Sequence, residues 1–167
     1  MTVTAEPPAD AAVIARPTGR GLFETELAMP GGDILADEPA DVGGGGAGPT
    51  PYELLSAALA ACTAMTLRLY AERRGWTLPP FSVSVAHRVV PGGPRRDLFD
   101  RRLVFEAPLD AERRAKMLEI ADKCPVHRSL ERGAAIATAF AAPPAPDPAA
   151  LASPGGHEQA MEEACAD

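Results

Sequence analysis

The chain is poor in most features that would announce a specialised partner. Aromatic residues occupy 5% of its 167 positions, too few for the stacking platforms that hold single-stranded nucleic acid. Basic residues are outnumbered, with 16 Lys and Arg against 23 Asp and Glu, a formal charge of −7. That balance speaks against a polyanionic partner, so no nucleic acid is expected. No uninterrupted run of about 18 apolar residues exists, so no membrane span is expected either. The opening MTVTAEPPADAA has no basic stretch leading into an apolar one, and it is not read as an export signal. Cysteine is scarce and odd in number: Cys62, Cys124 and Cys165. Such a count does not describe a disulfide-stapled secreted domain. The expected compartment is the reducing cytoplasm, where a cysteine is more often chemical than structural.

The length suits one domain. Residues 1–12 are polar and proline-containing, and they are expected to be disordered. Residues 141–167 hold five prolines and a Gly155–Gly156 pair with no apolar period, and the same is expected of them. The folded domain is placed at residues 13–140. Short alternating segments at 13–16, 22–28 and 34–36 read as strands, separated by glycine turns. A glycine run at 43–46 leads to Gly48–Pro49 and a long helix from Pro51 to about Arg74. Two further strands are expected at 81–90 and 101–107, joined as a hairpin. Helices at 111–123 and 125–132 and a last strand at 135–140 complete the pattern. Strands grouped in this way indicate an α+β domain rather than an alternating parallel sheet.

The long helix opens with Thr50, Pro51 and Glu53, the pattern of a cap, a proline at the first position and a capping acid. From Leu54 to Leu67 it is apolar on nearly every side, which requires protein all around it. One small sheet covers one side only, so a second subunit is expected to supply the rest. Cys62 lies in the middle of this helix, among leucines and alanines. By itself it reads as a small buried hydrophobe as readily as a nucleophile. Cys124 differs. It precedes Pro125, which restricts its backbone and opens a new helix, so Cys124 takes the N-cap. Free amides and the helix dipole there favour a thiolate, and Lys123, His127 and Arg128 add positive charge.

Two segments together resemble a known family. GPTPYELLSAALAACTAMTLRLYAERRGW is followed, 62 positions after Cys62, by LEIADKCPVHRSLERG. The pair is similar to the OsmC/Ohr family of osmotically inducible and organic hydroperoxide resistance proteins, in its OsmC-like branch. The resemblance implies an α+β OsmC-like fold, strands wrapped around the long helix, in an intertwined homodimer with active sites near the subunit interface. It also implies a thiol peroxidase that reduces organic hydroperoxides to alcohols. Cys62 would attack the peroxide and become a sulfenic acid, and Cys124 would resolve it as a disulfide. No cofactor is expected beyond an external dithiol reductant. The family pattern supplies an arginine from the first strands, for which Arg20 is the candidate and Arg16 the alternate, held by an acid ahead of the cysteine. Ten residues before Cys62 stands Tyr52, not an acid. Glu53 is nine before it, and at about 100° per residue it faces the opposite side of the helix, which suits a cap better than a clamp. The alternative reading is a non-catalytic redox-sensing or small-molecule-binding protein on the same fold.

Four other signals carry less. Gly43, Gly45 and Gly48 match G-x-G-x-x-G, but no βαβ unit follows, so the run reads as a flexible connector. Cys124 and His127 lack the partners that would complete a metal site. Arg95, Arg96, Arg101 and Arg102 alternate with Asp97 and Asp100 and read as an exposed hairpin. Cys165 reads as a bystander thiol.

Overall fold

A computed structural model describes residues 12–92 and 97–140. The expectations for residues 1–11, for the tail beyond residue 140 and for Cys165 lie outside them. Described residues fall into two compact units, 12–51 with 136–140, and 52–135.

In the first unit, β1 (Ile14–Pro17), β2 (Thr25–Ala28) and β3 (Ile34–Ala36) form an antiparallel meander. Ile14 sits opposite Ala28, and Thr25 opposite Ala36. The glycine run after β3 is not a loose connector. Asp37, 3% exposed, accepts hydrogen bonds from the amides of Glu38 at 2.8 Å, Gly45 at 2.9 Å and Ala47 at 3.1 Å. Gly46 N–H donates to the Glu38 carbonyl at 3.1 Å. A short buried carboxylate thus collects amide donors that would otherwise go unmet, and the glycines let the backbone approach it. The Ala47 amide, followed by those of Glu38, Gly45 and Gly46, holds the Asp37 carboxyl below its ordinary 3.8, against the opposing effect of burial. A depressed folded-state pKa contributes stability that is present above about pH 4 and lost as pH falls through the lower folded value. Asp37→Asn should remove that acid dependence, and urea melts of both proteins across pH 5 to 2 would show it.

In the second unit, α1 (Pro51–Arg73) buries Ser56, Leu59, Cys62, Thr63, Thr66, Leu67, Tyr70 and Ala71. Its opposite face is apolar yet exposed, with Leu55 at 41% and Met65 at 52%. The serine and threonines that interrupt its apolar run do not make it polar. An 18-residue window averages a hydropathy of 1.5, long and apolar enough to cross a membrane, and 44% of that window is buried. The core helix of a globular protein has the same character, and most of one face of α1 is packed.

β4 (Phe81–Val89) and β5 (Asp97–Phe105) pair as an antiparallel hairpin, Val83 opposite Leu103 and Val85 opposite Arg101. α2 (Ala111–Asp122) begins at Asp110, whose side chain accepts the Arg113 amide at 2.7 Å. α3 (Pro125–Arg132) begins at Cys124 and ends at Gly133. Leu67 and Tyr70 from α1 meet Met117, Ile120 and Ala121 from α2 in the main core, with Phe81, Leu103 and Phe105 closing it.

The expected strand at 135–140 does not form. Among the described residues no strand lies beside it, and Ile136 and Phe140 are fully open at 89% and 109%. Alternation alone cannot make a strand, because the ladder hydrogen bonds need a neighbour. The second strand of the hairpin also starts earlier than expected, at Asp97 rather than Arg101.

Candidate functional site

The two sequence-selected cysteines meet. Cys62 Sγ and Cys124 Sγ are 2.8 Å apart as free thiols, 62 residues apart in sequence. Cys62 is 3% exposed and Cys124 is fully buried. Leu59, Val85, Phe99, Val126 and Leu130 pack around them. α1 brings Cys62 to this point because its inward face runs Leu59, Cys62, Thr63, Thr66. Pro125 brings Cys124 there by ending α2 and opening α3.

Either sulfur could donate across a contact this short, so the surroundings decide where the charge rests. Cys124 is the more acidic. Its thiolate is favoured first by the hydrogen bond from Cys62, then by the His127 amide, the Thr63 hydroxyl and the Val126 amide, while burial opposes. Cys62 is pushed up, first by that same bond to Cys124 and then by burial. Two negative sulfurs at this distance in an apolar pocket would repel, so the pair favours sharing one proton. The His127 and Val126 amides, at the helix start read from Pro125, add to the acidity of Cys124 after the bond from Cys62.

One functional-looking residue escaped sequence reasoning. Arg101, read as part of an exposed hairpin, is turned inward, its side chain 12% exposed. Its guanidinium donates to Thr63 Oγ1 at 3.1 Å, to the Ala121 carbonyl at 2.8 Å and to Asp122 Oδ1 at 2.7 Å. The signal was there in the phase of β5. Phe99, Arg101, Leu103 and Phe105 occupy alternate positions on its less exposed face, while Asp100, Arg102 and Val104 point outward. Placing the strand start at Arg101 hid that phase.

The remaining candidates lie elsewhere. Arg20, between β1 and β2, is 64% exposed and pairs with Glu24 of its own unit. Glu24 also accepts from Thr18 Oγ1 at 2.9 Å. The acid next to Arg20 is thus Glu24. Arg16 lies in β1, opposite Glu26. Glu53 is in the first turn of α1, on an exposed position. Tyr52 stacks on His87 with ring centres 3.9 Å apart and planes 9° from parallel. His87 in turn meets Asp97 Oδ1 at 2.8 Å.

Beside the cysteines, and within the same unit, lies a cleft of about 1170 Å³. Leu55, Leu59, Phe99 and Leu130 give it apolar walls, and Arg101 and His127 give it cationic or polar ones. Neither cysteine lines it. Leu59, Phe99 and Leu130 belong both to its wall and to the packing around the sulfurs, so one layer of side chains separates the two.

The sequence profile of OsmC-like proteins matches residues 43–139, the span that carries both cysteines, α1 and the hairpin. This chain belongs to the OsmC-like family. Solved structures agree on the fold. A protein of Psychrobacter arcticus assigned to osmotic stress and detoxification response superposes with a TM-score of 0.60 at 22% identity, covering 70% of this chain and 85% of that one. An OsmC-like protein from Mycoplasma pneumoniae gives 0.60 at 18%, covering 72% and 86%. An organic hydroperoxide resistance protein from Legionella pneumophila gives 0.53 at 20%, covering 71% and 88%. No curated protein matches the sequence significantly. The OsmC-like fold is thereby established for a chain that diverges strongly from its solved relatives.

Proposed function

We propose that this OsmC-like protein is a thiol-dependent peroxidase that reduces organic hydroperoxides to alcohols through Cys62 and Cys124. The observation that carries the reading is the 2.8 Å approach of two buried free thiols held on separate elements. Cys62, in the position that the family resemblance gives to the peroxidatic cysteine, attacks the terminal oxygen of the hydroperoxide as its proton passes to Cys124. The O–O bond breaks, the alkoxide takes that proton and leaves as alcohol, and Cys62 becomes a sulfenic acid. Cys124, again a thiolate, attacks the sulfenic sulfur and expels hydroxide, closing the disulfide. An external dithiol supplies the two electrons that reopen it. The apolar cleft one side-chain layer away favours an organic hydroperoxide over hydrogen peroxide.

A second copy belongs to the proposal. The exposed apolar face of α1 is what a homodimer would cover, and Arg20 is the arginine that the family pattern would bring to the site. Glu53 is assigned a helix-terminal role rather than contact with the reacting atoms.

Consumption of cumene hydroperoxide with dihydrolipoamide tests the reading. Wild type should turn over, and Cys62→Ser should fall to the protein-free rate. A wild-type rate equal to that blank would leave a redox-sensing or ligand-binding protein as the better account.

A further inference from the structure

The geometry points to Arg101 as a positioning residue of the thiol pair. From β5 it ties the turn of α1 that carries Cys62 to the end of α2 that presents Cys124, and so keeps the two sulfurs in bonding reach. The inference rests on the disulfide cycle proposed above. It begins from a burial that needs explanation. A guanidinium 12% exposed is costly unless its donors are met. Nη1 donates both to Thr63 Oγ1 at 3.1 Å and to the Ala121 carbonyl at 2.8 Å. Nη2 donates to Asp122 Oδ1 at 2.7 Å.

The acceptors single this arginine out. Thr63 follows Cys62 directly and is fully buried in α1. Its hydroxyl gives its hydrogen to the Leu59 carbonyl at 2.7 Å and accepts from Arg101 on a lone pair. Ala121 and Asp122 close α2, where the last carbonyls lack helical partners and a cation suits the negative pole. The Ala121 carbonyl also accepts the Cys124 amide at 3.3 Å. One oxygen thus holds both the Arg101 side chain and the Cys124 backbone. A continuous polar path runs from the residue beside Cys62, through the guanidinium, to the amide of Cys124 itself.

Apolar packing does not supply this restraint at the sulfurs. Leu67 and Tyr70 join α1 to Met117, Ile120 and Ala121 of α2. Leu67, however, lies one to two turns beyond Cys62, about 7.5 Å along the helix. Around the thiols, Val85, Phe99, Val126 and Leu130 are only partly buried, and such contacts are non-directional. A planar guanidinium bonded to three acceptors fixes orientation as well as distance.

The consequence lies in the disulfide equilibrium. Closing the bond brings the sulfurs from 2.8 Å to about 2.05 Å. The reduced pair therefore needs little rearrangement, and each thiol meets the other at a high effective concentration. Against oxidised glutathione, the two thiols give up two electrons and two protons, the S–S bond forms, and two glutathione thiols are released.

The test uses the full chain carrying Cys165→Ser, equilibrated with mixtures of reduced and oxidised glutathione. Acid stops the exchange, and mass spectrometry after alkylation reads the disulfide fraction, so hydroperoxide turnover plays no part. Arg101→Met removes the donors and leaves no acceptor stranded. Asp122 is 66% exposed, and the Ala121 carbonyl keeps the Cys124 amide. The equilibrium constant for disulfide formation should fall at least about tenfold in Arg101→Met. Thr63→Val, which cuts only the α1 end of the tie, should lower it roughly threefold, and Thr63→Ser should keep the wild-type value. Ile120→Val trims the main core away from the tie. It should lower the urea midpoint and leave the constant unchanged. A constant within about twofold of wild type in both Arg101→Met and Thr63→Val overturns the proposal. So does an Ile120→Val shift as large as theirs. If Arg101→Met does not fold, the contrast between Thr63→Val and Thr63→Ser decides. If wild type closes no disulfide at any glutathione ratio, this proposal and the peroxidase reading fall together. If the constants shift as expected while hydroperoxide closes no disulfide, only the peroxidase reading falls.

Discussion

Cys124→Ser should lower dithiol-dependent hydroperoxide turnover by at least about 100-fold, the usual range for losing a positioned proton acceptor. Two steps fail at once. A serine hydroxyl does not ionise near neutral pH, so Cys62 loses the group 2.8 Å away that takes its proton. The sulfur that touches Cys62 and would close the disulfide is also gone. The first oxidation should still proceed, slowly, and leave a long-lived sulfenic acid on Cys62. A dimedone adduct on the Cys62 peptide, at one per chain, would report it. In wild type, hydroperoxide should instead yield the Cys62–Cys124 disulfide and almost no dimedone adduct. Equal turnover by the variant and wild type would remove Cys124 from the mechanism. The result also separates the two roles by chemistry, since Cys62→Ser has lost the sulfur assigned to attack the peroxide.

Gly44→Ala should destabilise the first unit by about 3 kcal/mol or more, in the range reserved for severe overpacking. A Cβ on Gly44 would lie 1.7 Å from the Glu38 carbonyl oxygen and 2.3 Å from its carbon. These are backbone atoms and cannot rotate aside. Relief requires the loop to lift from Asp37, which would strip that carboxylate of the Gly45 and Ala47 amides. Gly31→Ala is the control, because its added Cβ would meet nothing within 4 Å. It should change stability by less than about 0.5 kcal/mol. Urea unfolding of the three proteins decides the matter, and similar midpoints for all three would mean that the loop is not held as described.

The elements themselves were largely legible. Pro51 and Pro125 mark helix starts, since proline at the first helical position loses no hydrogen bond, and both helices begin there. Alternation marked β4, where Phe81, Val83, Val85 and His87 fall on the less exposed side. The same rule failed at 135–140, where no neighbouring strand answers it. The glycine run was misread because composition reports what a segment can do, not what holds it. Asp37 lies beyond the run, and the amides it collects come from residues eight and ten positions away.

At the site, two residues were selected by type and spacing and two were not. Cys62 and Cys124 stood out because one lies in an apolar helix, the other precedes proline, and the motifs around both have a family likeness. The cap position of Cys124 indicated a favoured thiolate, but the first cause, the bond from Cys62, comes from tertiary packing. Arg101 and Thr63 carried no such mark. A threonine inside a helix and an arginine among aspartates have ordinary solvent-facing explanations, and only packing sets those aside.

The sequence by itself determined the scarcity of cysteine, the two helix starts and the local reason for a low-pKa thiol at Cys124. These depend on neighbours a few residues away, where backbone preference and periodicity act. Only the tertiary structure decided that the scarce thiols are a touching pair, that a buried arginine stands behind them, and that the glycine loop is fastened to a carboxylate. Those depend on contacts between residues 8 to 62 positions apart. Such contacts are set by how helices and strands pack, and no local pattern encodes the distance between two sulfurs.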